Sequence, residues 1–171
     1  MKEIIWIGRG GQGAFTAEKL FGAAYTENGD DAYSLSFPSF GPERRGAPVR
    51  AFTKLDNKRV SDRSQTEKAD YVVILDETLY NDSIREHLKE NGTLIINSSS
   101  EYENAISFDG SALAKNLRLP VVNTVMAGYL TKFCDLVSVD ELKTAIEKYM
   151  PERIREKNKN AVQEAAQWNH T

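Results

Sequence analysis

The chain has a single cysteine, Cys134, and only two histidines, His87 and His170, in 171 residues. One thiol closes no intrachain disulfide and supplies too few ligands for an iron–sulfur cluster held by four cysteines of this chain. The histidines lie far apart in polar company, lack the spacing of a metal site and read as surface residues. Cys134 follows Leu130 at helical spacing beside Phe133, the setting of a buried small hydrophobe rather than a nucleophile. No catalytic triad is recognisable. No run approaches the ~20 apolar residues of a membrane span, and the N-terminus enters a strand-like run without a signal-peptide layout, so a cytoplasmic location is expected. Charge of one sign is also lacking. The 22 basic and 25 acidic residues are interspersed for a net charge of −3, which leaves no basic face for nucleic acid and no polybasic patch for a membrane.

What is present is a globular composition, 40% apolar, at a length that fits one domain over residues 1–171. The apolar runs Tyr71–Leu75 and Thr93–Ile96 have the pattern of strands buried on both faces, as in a helix-covered parallel sheet. A helix over Thr78–Leu88, closed by Asn91-Gly92, completes a βαβ unit between them. Pro48–Leu55 and Pro120–Val122 read as further strands, the first turning at Asp56-Asn57 to pair with Arg59–Ser61. Ser138 and Glu141 form a capping box for a helix with Leu142, Ile146 and Tyr149 on one face. Pro151 ends it or opens the next. The charge-rich helical segment 152–168 has only Ile154, Ala161, Val162, Ala165 and Trp168 for packing, and reads as a surface for docking on a partner. The expected fold is α/β, a single Rossmann-like domain with an open, mostly parallel but mixed sheet and helices on both faces.

The first strand drops from Ile4-Ile5-Trp6-Ile7 into Gly8-Arg9-Gly10-Gly11-Gln12-Gly13 and then into a helical stretch. Strand, glycine turn and helix N-terminus together suit an anion, because tight backbone brings unpaired N–H groups and the positive dipole end close to a ligand. A dinucleotide site needs more, a second strand ending in an acid for the ribose. The second strand, Ala32–Phe37, ends in Phe37-Pro38, and Asp30 and Asp31 precede it at the wrong edge. NAD is disfavoured. Ligands in open α/β sheets gather beyond the carboxyl ends of strands. Those ends carry Gly8–Gly13, the Phe37 loop, Asp76-Glu77, Asn97-Ser98-Ser99-Ser100 and Asn123-Thr124. The serines also suit a loop that merely caps helices.

After the second strand runs Ser36-Phe37-Pro38-Ser39-Phe40-Gly41-Pro42-Glu43-Arg44-Arg45-Gly46-Ala47-Pro48. Prolines and glycines shape this loop around two aromatics and two arginines, whose planar forks suit a carboxylate or phosphate, with Glu43 placed to hold one of them. A plain Glu–Arg surface pair is the alternative at this point. The glycine loop followed by Pro38-Ser39-Phe40-Gly41-Pro42-Glu43-Arg44-Arg45-Gly46 resembles the gamma subunit, or gamma-like domain, of the 2-oxoacid:ferredoxin oxidoreductases, the pyruvate synthase family. The resemblance continues through Ala69-Asp70-Tyr71, Asn97-Ser98, the run from Val122-Asn123-Thr124 to Gly128, Val137-Ser138, Asn158 and Ala161, and so covers essentially the whole chain. Ala47 stands where a second glycine is common, and Val162 and Ala165 replace a frequent aromatic and glycine.

The resemblance implies a subunit working with alpha, beta and delta chains in a heterotetramer-type enzyme that converts a 2-oxoacid, coenzyme A and oxidised ferredoxin into acyl-CoA, carbon dioxide and reduced ferredoxin. It places thiamine diphosphate, Mg and [4Fe-4S] clusters in the partners, with none bound by this chain alone, in keeping with the single cysteine. Coenzyme A, rich in phosphate, is the ligand left for Gly8, Gly10, Gly11, Gln12, Gly13, Glu43, Arg44, Arg45, Gly46, Asn97, Ser98 and Asn123. No catalytic residue and no metal ligand is assigned. Pyruvate is the first expectation for the 2-oxoacid, with 2-oxoisovalerate and 2-oxoglutarate next; the alternatives are a stand-alone nucleotide-binding protein and a structural subunit with an empty glycine loop. In isolation the chain is expected to self-associate through the surface meant for its partners.

Overall fold

A computed structural model describes residues 1–39 and 46–169. One six-stranded sheet has the order β2-β3-β1-β4-β5-β6. Its strands are β1 (Lys2–Arg9), β2 (Tyr33–Pro38), β3 (Pro48–Asp56), β4 (Ala69–Ile74), β5 (Leu88–Asn97) and β6 (Ile106–Phe108). Only β3 runs against the others: it pairs antiparallel with both β1 and β2, while β1, β4, β5 and β6 form a parallel succession. The sheet is mixed and mostly parallel, as the buried apolar runs required.

The described residues also form five α-helices: α1 (Ala14–Thr26), α2 (Gly110–Asn116), α3 (Asn123–Leu130), α4 (Val139–Tyr149) and α5 (Glu152–Ala166). The two faces are covered unequally. Ile4 and Trp6 of β1 point into a large core shared with all five helices, whereas Ile5 and Ile7 point into a smaller one closed by Ile84, Leu79, Tyr80 and Tyr102. Trp6 anchors the larger core. Its indole stands edge-on to Phe21 of α1 at 5.7 Å between ring centroids, and its N–H donates to the Thr53 hydroxyl, which in turn donates to the Glu18 carbonyl.

Thr78–Leu88 is not one helix but two 3-10 turns, Glu77–Leu79 and Asp82–His87. The Asp76 and Asn81 carboxyl and amide oxygens accept the Thr78 and Ser83 N–H groups, so local side chains restart the backbone twice. Asn91-Gly92 lies inside β5: Ala69 pairs with Leu88 and Tyr71 with Thr93, so an irregularity takes up the extra residues. β3 does not hairpin onto Arg59–Ser61. Lys54, almost fully buried, donates instead to the Asp62 and Ser64 carbonyls and straps the connection across the sheet edge. Pro120–Val122 is no strand but the approach to α3; the short β6 takes the edge of the sheet.

The Ser138–Glu141 capping box is formed, with both reciprocal hydrogen bonds. Leu142 and Ile146 are buried with Ala145, but Tyr149 is 66% exposed, having passed the end of the packed face. α5 docks on its own fold rather than standing free. Ala161, Val162 and Ala165 are buried, and the Thr124 hydroxyl donates to Asn158 Oδ1 at 2.6 Å. Cys134 is buried, and that burial pushes its thiol pKa up. His87 is half-buried, its ring nitrogens at 3.3 Å from an Arg50 guanidinium nitrogen and 3.1 Å from the Glu67 carbonyl. His170 lies outside the described residues. No helix is long and apolar enough to cross a membrane among the described residues.

Candidate functional site

The chain doubles back between β1 and β4, since β1 leads through α1 to β2 on one side and β3 returns to β4 on the other. A ligand crevice is expected beyond the carboxyl ends of these two strands. It is filled by protein. Arg9 and Gln12 reach across it to Asp76 at the end of β4: Gln12 Nε2 donates to Asp76 Oδ2 at 2.9 Å, and Arg9 Nε lies 3.3 Å from the same oxygen. The Gln12 Oε1 accepts the Arg9 backbone N–H at 2.7 Å, which closes the turn on itself. Arg9 also donates to Thr78 Oγ1 at 2.9 Å and to the Gly46 carbonyl at 3.0 Å. Burial works against the Asp76 carboxylate, but hydrogen bonds from Thr78 and Gln12 and the Arg9 charge outweigh it and hold its pKa below the ordinary aspartate value.

Each glycine of the loop has its own environment. Gly8 faces Leu75 and Gln12, so its lack of a side chain serves packing. Gly10 is pinned by the returning chain, its N–H donating to the Ala47 carbonyl at 2.8 Å and its carbonyl accepting from Gly46 at 3.1 Å. Gly13, at φ +87°, precedes α1 and lies against the Asn123 side chain, whose Nδ2 a Cβ would meet at 2.4 Å. Gly11 is different. It has φ +94°, and none of the described residues stands where a side chain would be. Gly13 gives α1 no side-chain cap, and first-turn N–H groups have no carbonyl to reach within a helix. A cleft of about 250 Å³ opens there, between Arg9–Gly11, Gly13–Thr16 and Val49. It lies on the β3 side of the loop, away from the filled crevice.

This arrangement also gives the physical reason against a dinucleotide. β3 stands between β1 and β2, so the carboxyl end of β2 is two strand spacings, about 10 Å, from β1. An acid there would not reach a ribose above the glycine loop even if Phe37-Pro38 carried one.

The structure brings Gly8, Gly10, Gly11, Gln12, Gly13, Gly46 and Asn123 together around the start of α1. Asn97 and Ser98 are one strand further on and are engaged elsewhere. Asn97 Nδ2 donates to the Leu75 carbonyl and to Ser111 Oγ, both at 2.9 Å, while Ser98 Oγ donates to Glu77 and accepts from the Ser100 N–H. Glu43, Arg44 and Arg45 lie outside the described residues. The described residues on either side are tied down, the Ser39 N–H donating to the Arg50 carbonyl at 2.8 Å and the Gly46 N–H to the Gly10 carbonyl at 3.1 Å. Sequence reasoning did not give Arg9 or Thr78 a role. The signal was two long polar side chains within a tight turn and an acid at a neighbouring strand end. No group of three or more metal-ligating side chains is assembled among the described residues.

A family described as pyruvate ferredoxin/flavodoxin oxidoreductase matches residues 3–168. The chain belongs to that family. Among its relatives, a pyruvate synthase subunit PorC of Methanothermobacter thermautotrophicus is 42% identical over 96% of this chain and 94% of its own length. The common gamma subunit of the pyruvate/ketoisovalerate oxidoreductases of Pyrococcus abyssi is 37% identical over 96% and 95%. The crystal structure of a pyruvate oxidoreductase subunit PORC of Thermotoga maritima superposes with a TM-score of 0.82 at 31% identity, covering 97% of this chain and 95% of that one.

Proposed function

We propose that this chain is the gamma subunit of a heteromeric 2-oxoacid:ferredoxin oxidoreductase in the cytoplasm, with pyruvate as the 2-oxoacid and 2-oxoisovalerate as the alternative that the Pyrococcus relative's name suggests. The enzyme joins the acyl group to coenzyme A, releases carbon dioxide and passes electrons to ferredoxin. The family resemblance assigns [4Fe-4S] clusters to a delta-type partner and thiamine diphosphate to a beta-type partner, with Mg also outside this chain, and the one buried cysteine here is in keeping with that. The isolated chain is inactive on this reading.

Its own task is to hold coenzyme A. The observation that carries this is the cleft at Gly11 and the uncapped start of α1, with Gly46, next in sequence to Arg45, held against Gly10. At about 250 Å³ the cleft accepts a phosphate-bearing end rather than the whole molecule, leaving the rest for Arg44, Arg45 and the partners. A purely structural loop is favoured by Gly8, Gly10 and Gly13, whose surroundings are accounted for by packing and backbone pairing. Gly11 is not accounted for in that way. Substituting Arg45→Ala in the assembled complex, assayed anaerobically by viologen reduction with each 2-oxoacid, is expected to raise the KM for coenzyme A and leave that for the 2-oxoacid unchanged. An unchanged coenzyme A constant with intact assembly favours the structural loop.

A further inference from the structure

β6 ends the sheet with backbone that faces outward. The Ser98 N–H donates to the Phe108 carbonyl at 3.0 Å, so Phe108 and, two residues earlier, Ile106 turn their backbone groups toward β5. Ser107 between them turns its N–H and C=O away from the sheet. Its hydroxyl oxygen is buried yet has no hydrogen-bond partner among the described residues, an unusual state for a polar group.

Beside this edge opens a cleft of about 550 Å³, larger than that at the glycine loop, with Ser99, Ser100, Glu101, Ser107, Asp109 and Trp168 among its walls. Trp168 is 40% exposed yet held in place: its ring stands edge-on to Phe108 at 5.5 Å, and its carbonyl accepts from Lys132. A large, fixed and exposed indole in a concave site is the kind of residue on which docking energy concentrates. Two carboxylates line the cleft, Glu101 and Asp109, the second also capping α2 by accepting the Ala112 N–H, and no lysine or arginine lines it among the described residues. Glu101 is exposed and makes no ion pair among the described residues.

We infer that the β6 edge and this cleft dock an extended, basic segment of a partner subunit, an inference that rests on the proposed membership in a heteromeric enzyme. The segment pairs its backbone with Ser107 as an added strand and sets a lysine or arginine against Glu101, with Trp168 packing on its side chains. Charge decides among occupants. A second copy brings the same carboxylates to the same edge, and a phosphate-bearing ligand meets like charge, whereas a cationic peptide is complementary.

The test co-expresses the tagged full chain with the partner chains of its host enzyme and compares the partners recovered on anaerobic purification. Glu101→Lys reverses an exposed charge without touching the fold, Trp168→Ala removes the anchor, and Ser107→Pro deletes the outward N–H. Each variant is expected to weaken partner retention by about tenfold or more, while Tyr149→Ala, on α4, retains the partners as the parent does. A photo-crosslinker at Ser99 is expected to join a lysine- or arginine-bearing partner segment. Undiminished retention by Glu101→Lys and Trp168→Ala overturns the inference and leaves the subunit reading standing. So does a crosslink to a second copy, or a small molecule retained in the cleft. If the parent chain recovers no partner at all, the subunit reading falls and the inference with it.

Discussion

The Asn123 side chain occupies the space where a Cβ on Gly13 would stand, with Nδ2 2.4 Å from that point and the Gly13 carbonyl 3.4 Å from the same nitrogen. Asn123 Oδ1 meanwhile accepts the Thr124 N–H at 2.8 Å, so the side chain is fixed at the start of α3 while it supports the start of α1. Two helix beginnings are thereby tied together across the sheet's carboxyl edge, which makes Asn123 a support of the glycine loop rather than a free ligand group.

Gly13→Ala is therefore expected to be destabilising for two separable reasons, the left-handed backbone and the collision with Asn123, together about 2–3 kcal/mol. Asn123→Ala in the same chain removes the collision and leaves the backbone cost. A double-mutant cycle by denaturant unfolding checks this: the two substitutions should be clearly non-additive, the double variant being more stable than the sum predicts. Simple additivity would mean that Asn123 swings aside freely.

Asp76 gathers Gln12, Arg9 and Thr78 at one carboxylate, and removing it leaves Arg9 and Gln12 without their common anchor. Asp76→Ala is expected to cost about 1–3 kcal/mol and to speed amide hydrogen exchange at Gly10–Gly13 before other parts of the fold. The carboxylate's pKa is depressed in the folded chain. Its contribution is present above the unfolded aspartate pKa and is lost as pH falls through the lower, folded value. The stability difference between parent and Asp76→Ala should hence shrink on acidification and be constant near neutrality. A difference that grows with acid would contradict the assignment.

Residues Ile4–Ile7, Tyr71–Leu75 and Thr93–Ile96 were legible as strands because burial on both faces leaves an unbroken apolar run, and the Ser138–Glu141 box was legible because its chemistry is local. The β1–β3–β2 order was not. Pairing partners depend on long-range contacts, and Lys54 rather than a turn motif directs the chain after β3. The 3-10 turns were not legible because two parallel strands call for a crossover helix between them, and the caps at Asp76 and Asn81 that break it up are single local side chains. In the site, glycines announced the loop, but which of them packs and which stays open depends on neighbours such as Leu75 and Asn123 that the local sequence does not contain. Asn97 and Ser98 share the polar edge with that loop and still belong to a different network, since a strand edge collects residues without deciding which of them meet.

Glu18 sits fully buried on the sheet-facing side of α1, and neither carboxyl oxygen meets a well-formed hydrogen bond among the described residues. Burial pushes its pKa up from 4.5 to about 8, with the Lys19 charge and weak approaches of the Phe52 and Phe37 backbone N–H groups opposing, so the side chain is held as the neutral acid at pH 7. The sign of the consequence follows from the unfolded chain, where the same carboxyl ionises near 4.5. Below that pH both states are protonated and there is no penalty. Between 4.5 and about 8 the unfolded chain sheds the proton and the folded chain keeps it, so stability falls as pH rises, by a few kcal/mol over the whole interval. Glu18→Gln fills nearly the same volume and never ionises. It is expected to match the parent near pH 4.5 and to exceed it progressively up to pH 8–9, as read from urea midpoints at several pH values. Parallel curves for the two chains would show that Glu18 does not keep its proton, and that the folded chain solvates or pairs the carboxylate when it ionises.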